Sequence, residues 1–164
     1  MINHTVQDAV NEQINKELYS SYLYLSMAAY FETANLSGFA HWMRLQAEEE
    51  LAHAMKFFDY LIERGGSVTL KAIEAPIKEW KTSLACFEQV LAHEQKVTAS
   101  INSLYELAQK EKDLPTQIML QWFITEQVEE EKNATEIVEG LKLIDARGTT
   151  VLMLDHWLGK RGKE

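Results

Sequence analysis

Four long segments of this chain carry an apolar stripe at helical spacing, and one glutamate interrupts each stripe. Apolar residues that recur at alternating steps of three and four occupy one face of an α-helix, as in helices that pack into a bundle. Glu17, Glu50, Glu94 and Glu130 stand at such core positions. The pattern predicts an all-α fold, a four-helix bundle with four carboxylates turned toward its interior.

Few residues in these segments oppose helix formation, since the whole chain has 7 Gly and 2 Pro. The spacing predicts the core side chains of each helix. In chain order they are Val10, Ile14, Glu17, Ser21, Tyr24, Ala28 and Phe31; Phe39, Met43, Gln46, Glu50, His53, Phe57 and Tyr60; Phe87, Val90, Glu94, Val97, Ile101, Leu104 and Ala108; and Leu120, Phe123, Gln127, Glu130, Ala134, Ile137, Leu141 and Ile144.

The breaks between the striped segments predict where the helices begin and end. The first helix runs from about 6 to 34, and the break Asn35-Leu36-Ser37-Gly38 offers capping residues for the second, which ends at Gly65-Gly66. Residues 67–81 follow no stripe and are too many for a tight turn. We therefore predict a long crossover, which makes the second and third helices parallel.

The second half of the chain carries similar signals. Thr82 or Ser83 can cap the third helix, and an early proline at Pro115 opens the fourth, which we expect to end near Gly148. A threonine at position 149 or 150 can cap a short fifth helix. This helix is too small to stand alone, so its apolar side chains need a neighbour: Val151, Leu152, Leu154, Trp157 and Leu158.

Length, charge and cysteine content exclude several classes of protein. A chain of 164 residues suffices for one well-buried domain, which we place at residues 1–164. The net charge of −9 disfavours nucleic acids and anionic membranes as partners. The longest uncharged run, residues 18–31, is too short to span a bilayer. The single cysteine, Cys86, excludes an internal disulfide framework and fits a reducing compartment. The N-terminal residues lack a signal-peptide pattern, so we expect a cytoplasmic protein.

The interrupting residues have the spacing of metal ligands. Glu50 and His53 are three residues apart, so both side chains can reach one point on a helix face. Glu17 and His53 are equidistant from the first predicted turn, and Glu94 and Glu130 are equidistant from the second. Antiparallel helix pairs would bring each of these pairs to one level, and the crossover would bring both levels together at the middle of the bundle.

A structural network of buried carboxylates is the alternative to a metal site. An unpaired buried charge costs several kcal/mol, and the stripes carry no Lys or Arg near the glutamates to offset it. Divalent cations are the natural counter-charge, so we predict a two-metal carboxylate site. Oxygen ligands with a single imidazole suit iron better than zinc, which prefers nitrogen and sulfur.

Three motifs of the chain resemble those of the ferritin family, specifically the non-haem bacterial and archaeal ferritins. They are Asn11-Glu12-Gln13 with Glu17-Leu18-Tyr19-Ser20-Ser21, then Glu50-Leu51-Ala52-His53, and Glu126-Gln127-Val128-Glu129-Glu130-Glu131. The likeness covers essentially the whole chain. It implies a ferritin-like bundle with the crossover between helices two and three and a short fifth helix at the C-terminus.

The resemblance assigns roles to particular residues. It implies that Glu17, Glu50 and His53 bind a first iron, that Glu50 bridges, and that Glu94 and Glu130 complete the site of a second. Further family positions are Gln127 beside the second iron, Tyr24 as a hydrogen-bond or one-electron donor, and an additional iron site at Glu49, Glu126 and Glu129. A buried core tyrosine explains Tyr24 about equally well, and a solvated helix face explains Glu129 nearly as well.

The family's function would be iron storage. The resemblance implies that an intra-subunit ferroxidase centre oxidises Fe(II) with dioxygen or peroxide and that ferric mineral collects in a hollow homo-oligomeric shell of twenty-four subunits. No haem is expected, because Leu51 stands where bacterioferritins carry their haem-ligand methionine. The resemblance does not assign the route by which iron enters the shell. A di-iron enzyme that activates oxygen or scavenges peroxide without storing iron is the alternative.

Overall fold

Five helices and their connections account for the fold. The computed structural model describes residues 1–144 and 149–162, with only the backbone of Thr149. The helices are α1 (His4–Thr33), α2 (Ser37–Glu63), α3 (Ser83–Lys110), α4 (Leu114–Leu143) and α5 (Thr149–Leu158). None of the described residues lies in a strand, and no helix among them is long and apolar enough to cross a membrane. The prediction of an all-α fold is confirmed.

The long helices form two hairpins. α1 packs along α2, and α3 packs along α4. The two predicted turn centres, Asn35 and Lys112, have positive φ angles of 58° and 56°, in the left-handed region that closes tight turns. Residues equally far from a turn in the sequence therefore lie at the same height along the bundle. This applies to Glu17 with His53 and to Glu94 with Glu130.

The predicted crossover has no regular secondary structure and lies along α1. The Asn11 side chain donates to the Ser67 carbonyl oxygen at 2.9 Å and accepts from the Thr69 backbone N–H at 2.7 Å. Farther along, the Ser26 hydroxyl donates to the Ile77 carbonyl oxygen at 2.6 Å. These hydrogen bonds hold the connection against the length of the bundle, so α3 begins at the end where α2 began and runs parallel to it.

The core is a polar layer between two apolar clusters. One cluster contains Phe31, Phe39 and Phe87, and the other contains Phe57 and Phe123. Every predicted core position is buried except Ser21, Tyr60 and Ile144, which are partly exposed. The stripes therefore identified the interior face of all four long helices, with their glutamates between the two clusters.

Two predicted helix ends need correction. α4 ends at Leu143, and the following residue, Ile144, has an extended backbone with φ −83° and ψ 116°. The predicted end near Gly148 is therefore wrong, and Gly148 itself lies outside the described residues. The chain leaves the helix earlier because α5 must turn back to pack against α2. The predicted cap at Thr82 is confirmed, since it accepts from the N–H group of Ala85, and Asp113 caps α4 by accepting from the N–H group of Thr116.

The second correction concerns the start of α2, which lacks a capping side chain of its own. Asp155 of α5 supplies it: its Oδ1 accepts from the N–H groups of Gly38 at 2.8 Å and Phe39 at 3.0 Å. Only glycine fits at position 38, because a Cβ there would lie 1.7 Å from the Asp155 carbonyl oxygen. The C-terminal helix therefore completes the N-terminus of the helix that carries Glu50 and His53.

We expect Asp155→Ala to lower the free energy of unfolding by about 1 kcal/mol, the usual cost of losing a helix cap. Asp155→Asn keeps the acceptor oxygen and should lose less. Chemical denaturation followed by circular dichroism measures both. Asp59→Ala, at an exposed position on α2, is the matched control and should change stability by no more than about 0.5 kcal/mol. An Asp155→Ala variant as stable as this control would contradict the capping role.

Candidate metal centre

All four long helices contribute polar side chains to the middle of the bundle. Glu17 comes from α1, Glu50 and His53 from α2, Glu94 from α3, and Gln127 and Glu130 from α4. None of these six side chains belongs to a residue more than 5% exposed. They are buried because they stand on the apolar stripes, and the helices that bury their neighbours bury them as well.

The first half of the centre is made by α1 and α2. Ligand atoms of Glu17, Glu50 and His53 lie within 4.8 Å of one another. The His53 Nδ1 atom is 3.6 Å from Glu50 Oε2, across one turn of α2. Glu17 Oε2 and both Glu50 carboxylate oxygens are buried and have no hydrogen-bond donor. Buried carboxylate oxygens without donors are costly, so this half fits a cation that would satisfy them.

Two further glutamates face this group from α3 and α4. Gln127 Nε2 donates to Glu94 Oε2 at 3.1 Å, and Gln46 Nε2 donates to Glu130 Oε2 at 2.6 Å. Burial raises the pKa of Glu50, and the charges of Glu94 and Glu130 raise it further. Glu94 and Glu130 are nevertheless outside the group of three whose ligand atoms lie within 4.8 Å of one another. The fold brings all four glutamates to one level, and only the first half has its ligand atoms gathered.

Burial and mutual repulsion raise the pKa values of these carboxyl groups. Burial, and then the charge of Glu50, raises the pKa of Glu17 well above its ordinary value. Burial followed by the charge of Glu94 does the same to the pKa of Glu50. Burial, Glu94 and Glu49 raise the pKa of Glu130 to about 8. A cation entering the centre would therefore displace protons, because it removes the repulsion that favours the neutral acids.

Tyr24 contacts the centre directly. Its hydroxyl donates to Glu94 Oε1, and its ring meets the His93 ring edge-on at 6.1 Å. Burial, and then the charges of Glu94 and Glu50, raises the pKa of this phenol well above its ordinary value. Tyr24 is therefore more than a buried core residue, because its hydroxyl group donates a hydrogen bond to one of the candidate ligands.

The residues of the implied additional iron site are more dispersed. Glu49 and Glu126 are partly buried, whereas Glu129 is exposed. In the described part of the chain, the group of three ligand atoms that could hold a metal includes none of them. Glu49 instead forms an ion pair with Arg161, with Oε2 2.5 Å from Nη2. The additional site remains a prediction.

Two glutamines that orient the carboxylates were missed as site residues. Gln13 is 2% exposed and its Nε2 donates to Glu17 Oε1 at 2.7 Å, which leaves Oε2 free for a cation. Gln46 is fully buried and holds Glu130 in the same way. An amide on a core stripe is a usable sequence signal for Gln46. Gln13 precedes Glu17 by one helical turn, but it stands beside the stripe, so only its partner reveals its role.

Comparisons with known proteins agree with this geometry. The model of the ferritin-like domain matches residues 7–144. The chain is 44% identical over 161 residues to the bacterial non-heme ferritin of Bacteroides fragilis, covering 98% of this chain and 100% of that protein. It is 36% identical over 158 residues to the bacterial non-heme ferritin of Escherichia coli, covering 96% of each.

A solved structure extends the likeness to the fold. The open pore ferritin from the hyperthermophilic archaeon Archaeoglobus fulgidus superposes with a TM-score of 0.97 at 52% identity, covering 98% of this chain and 99% of that one. Sequence identity of 52% over nearly the full length of both chains indicates a common family as well as a common fold. With a group of buried residues able to hold a metal at its middle, this four-helix bundle with a fifth helix belongs to the ferritin family.

Proposed function

We propose that this protein is an iron-storage ferritin whose subunit oxidises Fe(II) to Fe(III) at the mid-bundle centre. The observation that carries the proposal is the set of three buried carboxylate oxygens without donors, Glu17 Oε2 and both oxygens of Glu50, next to His53. Fe(II) is the substrate. Glu17, Glu50 and His53 would bind one ion, and Glu50, Glu94 and Glu130 would bind a second, with Gln127 beside it.

The ligand types favour a redox metal that accepts hard ligands. Four carboxylates and one imidazole suit iron, whereas closed zinc sites use more nitrogen and sulfur. Oxidation of two Fe(II) ions releases two electrons, which with two protons reduce dioxygen to hydrogen peroxide, or peroxide to water. Tyr24, hydrogen-bonded to Glu94, is placed to hold a proton or to supply one electron at this point. No haem is included in the proposal.

Storage requires a closed shell, and we propose a homo-oligomer of twenty-four subunits. The described surface offers large apolar side chains for subunit contacts: Tyr22, Leu25, Leu70, Ile73, Ile77, Leu152, Met153 and Trp157. The resemblance implies that shell contacts bury Leu154, Trp157 and Leu158 of α5. In the structure, Leu158 is already buried within the subunit, and Leu154 packs against the apolar cluster that contains Leu158. Trp157, 58% exposed, is the one of these three left to contact another subunit.

The remaining parts of the proposal concern cell biology and organisation. The free, buried Cys86 supports a reducing compartment such as the cytoplasm. We propose ferrous iron, dioxygen or peroxide and further copies of the chain as partners. The net charge of −9 favours cations and disfavours nucleic acids and anionic membranes. We treat residues 1–164 as one domain. Glu49, Glu126 and Glu129 are proposed as an additional iron site beside the centre.

The first test is bulk loading. The apo-protein is mixed aerobically with ferrous iron far above two ions per subunit, and iron and protein are measured across a size-exclusion column. Iron eluting in bulk with a very large particle is expected for a storage shell. Binding that stops near two ions per subunit would favour the alternative enzyme, which activates oxygen or scavenges peroxide and stores nothing.

The second test removes single ligands. We expect Glu50→Gln and His53→Ala to slow aerobic Fe(II) oxidation by about 100-fold. Even the loss of a residue that only hydrogen-bonds to a metal ligand costs about 10- to 100-fold in metal affinity or activity. Stopped-flow absorbance measures the rate. Glu48→Gln changes an exposed glutamate on the same helix and should leave the rate unchanged. If Glu50→Gln and His53→Ala oxidise Fe(II) as fast as wild type and Glu48→Gln do, the centre is refuted.

The third test uses the shifted pKa of Glu130. In the folded apo-protein its pKa is about 8, against an ordinary value of 4.5. Between these two values the folded state holds a proton that the unfolded state has released, so this group makes stability fall as pH rises. We expect Glu130→Gln to stabilise the apo-protein relative to wild type, and the difference to grow from pH 5 to pH 8 by up to about 1.4 kcal/mol per unit.

Denaturation with urea at several pH values measures this difference. Glu136→Gln, on the exposed face of α4, is the control and should show a difference independent of pH over the same range. A Glu130→Gln variant whose advantage stays constant or shrinks as pH rises would show that Glu130 is not held protonated in the apo-protein.

A further inference from the structure

The C-terminal turn places an arginine beside the metal centre. Arg161 follows α5, and its Nη1 donates to Gln46 Oε1 at 2.8 Å, while Nη2 donates to Glu49 Oε2 at 2.5 Å. Its guanidinium also lies over the Trp42 ring, 4.8 Å from the centroid. The side chain is 25% exposed. One cation is thus held by an amide, a carboxylate and an aromatic face, all from α2.

The backbone of the turn is fixed on α2 as well. His41 Nε2 donates to the Arg161 carbonyl oxygen at 2.9 Å. Leu158, the last residue of α5, is 1% exposed, and Asp155 caps α2 one turn earlier. The position of Arg161 therefore follows from the docking of α5, and the guanidinium does not reach its partners from a free chain end.

Arg161 acts on the centre through Gln46. A guanidinium has donors only, so the amide must present its oxygen to Arg161 and its NH₂ group to Glu130. Gln46 Nε2 indeed donates to Glu130 Oε2 at 2.6 Å. The orientation of a candidate ligand on α4 is thereby tied to a residue at the C-terminus.

Glu49 lies on this same side of the centre. Arg161 bonds both Glu49 and Gln46, and Gln46 in turn donates to Glu130. The Glu49 carboxylate is 46% exposed, so it lies between the buried ligands and solvent. For an ion that moves outward on this side of the centre, Glu49 is a carboxylate ligand, and Arg161 already occupies one of its oxygens.

We propose that Arg161 is a positioning residue that serves as an internal counter-cation: it occupies Glu49, and an iron ion that passes from the centre to Glu49 must displace it. The nature of the ion rests on the proposed function, whereas the competition for Glu49 does not. The arrangement lets Glu49 take part in binding only when a cation outcompetes the guanidinium. It also couples the docking of α5 to the movement of ions from the centre to Glu49.

The test compares binding of Mn²⁺ to the apo-protein by anaerobic equilibrium dialysis, since Mn²⁺ suits carboxylate and water ligands. Arg161→Gln should bind the cation at Glu49 about fivefold more tightly than wild type, because a partly exposed ion pair contributes up to about 1 kcal/mol. Lys160→Gln is the matched control. It removes the neighbouring exposed charge and should leave the affinity unchanged.

Two more variants identify the cause. The gain should vanish in Arg161→Gln/Glu49→Gln, because the released carboxylate is then absent. Arg161→Lys keeps the charge and should restore binding close to wild type, which a purely structural role of the arginine would not do. A gain that persists in the double variant, no gain in Arg161→Gln, or a lysine variant that behaves like the glutamine variant would each overturn the proposal.

The two proposals fail in different ways. If Glu50→Gln leaves the tight binding of Mn²⁺ unchanged, the mid-bundle centre is refuted. The counter-cation role is judged separately, from the difference between Arg161→Gln and its Glu49→Gln double variant, which does not require the central sites to be filled.

Discussion

The burial of four carboxyl groups in the middle of a helical bundle is the constraint on which the rest of this structure depends. Two apolar clusters, one at each end of the bundle, leave between them a polar layer whose ligand candidates are at most 5% exposed. Burial and repulsion raise the pKa values of these carboxyl groups in the apo-protein. A cation would relieve the same repulsion, so the burial that costs the apo-protein stability would favour cation binding.

Hydrogen-bond donors around the centre decide which oxygens remain free. Gln13 occupies one oxygen of Glu17, Gln46 occupies one of Glu130, and Tyr24 with Gln127 occupies both of Glu94. Only Glu50 has neither oxygen satisfied. This is the residue that a bridging role requires to have both oxygens available. The amides and the phenol therefore orient Glu17, Glu94 and Glu130 and leave Glu50 unpaired.

The C-terminal segment links this centre to the periphery of the subunit. Asp155 completes the N-terminus of α2, and Arg161 reaches Gln46 and Glu49 from the turn that follows. Both contacts join residues more than a hundred positions apart, and both act on the helix that carries Glu50 and His53. α5 thus supports the helix that carries the candidate metal ligands, and its Trp157 stays exposed on the surface of the subunit.

The sequence by itself determined the elements that depend on periodicity. Stripe spacing located the four long helices and their buried faces, equal distances from Asn35 and Lys112 placed the glutamates level, and the motifs indicated the ferritin family. Tertiary structure alone decided the contacts between distant segments, which are the Asp155 cap, Gln46 on Glu130, and Arg161 on Gln46 and Glu49. It also ended α4 earlier than predicted. Helical periodicity is a local property that neighbouring residues encode. A cap or counter-charge supplied by another segment forms only after that segment has docked, so residue spacing along the chain does not predict it.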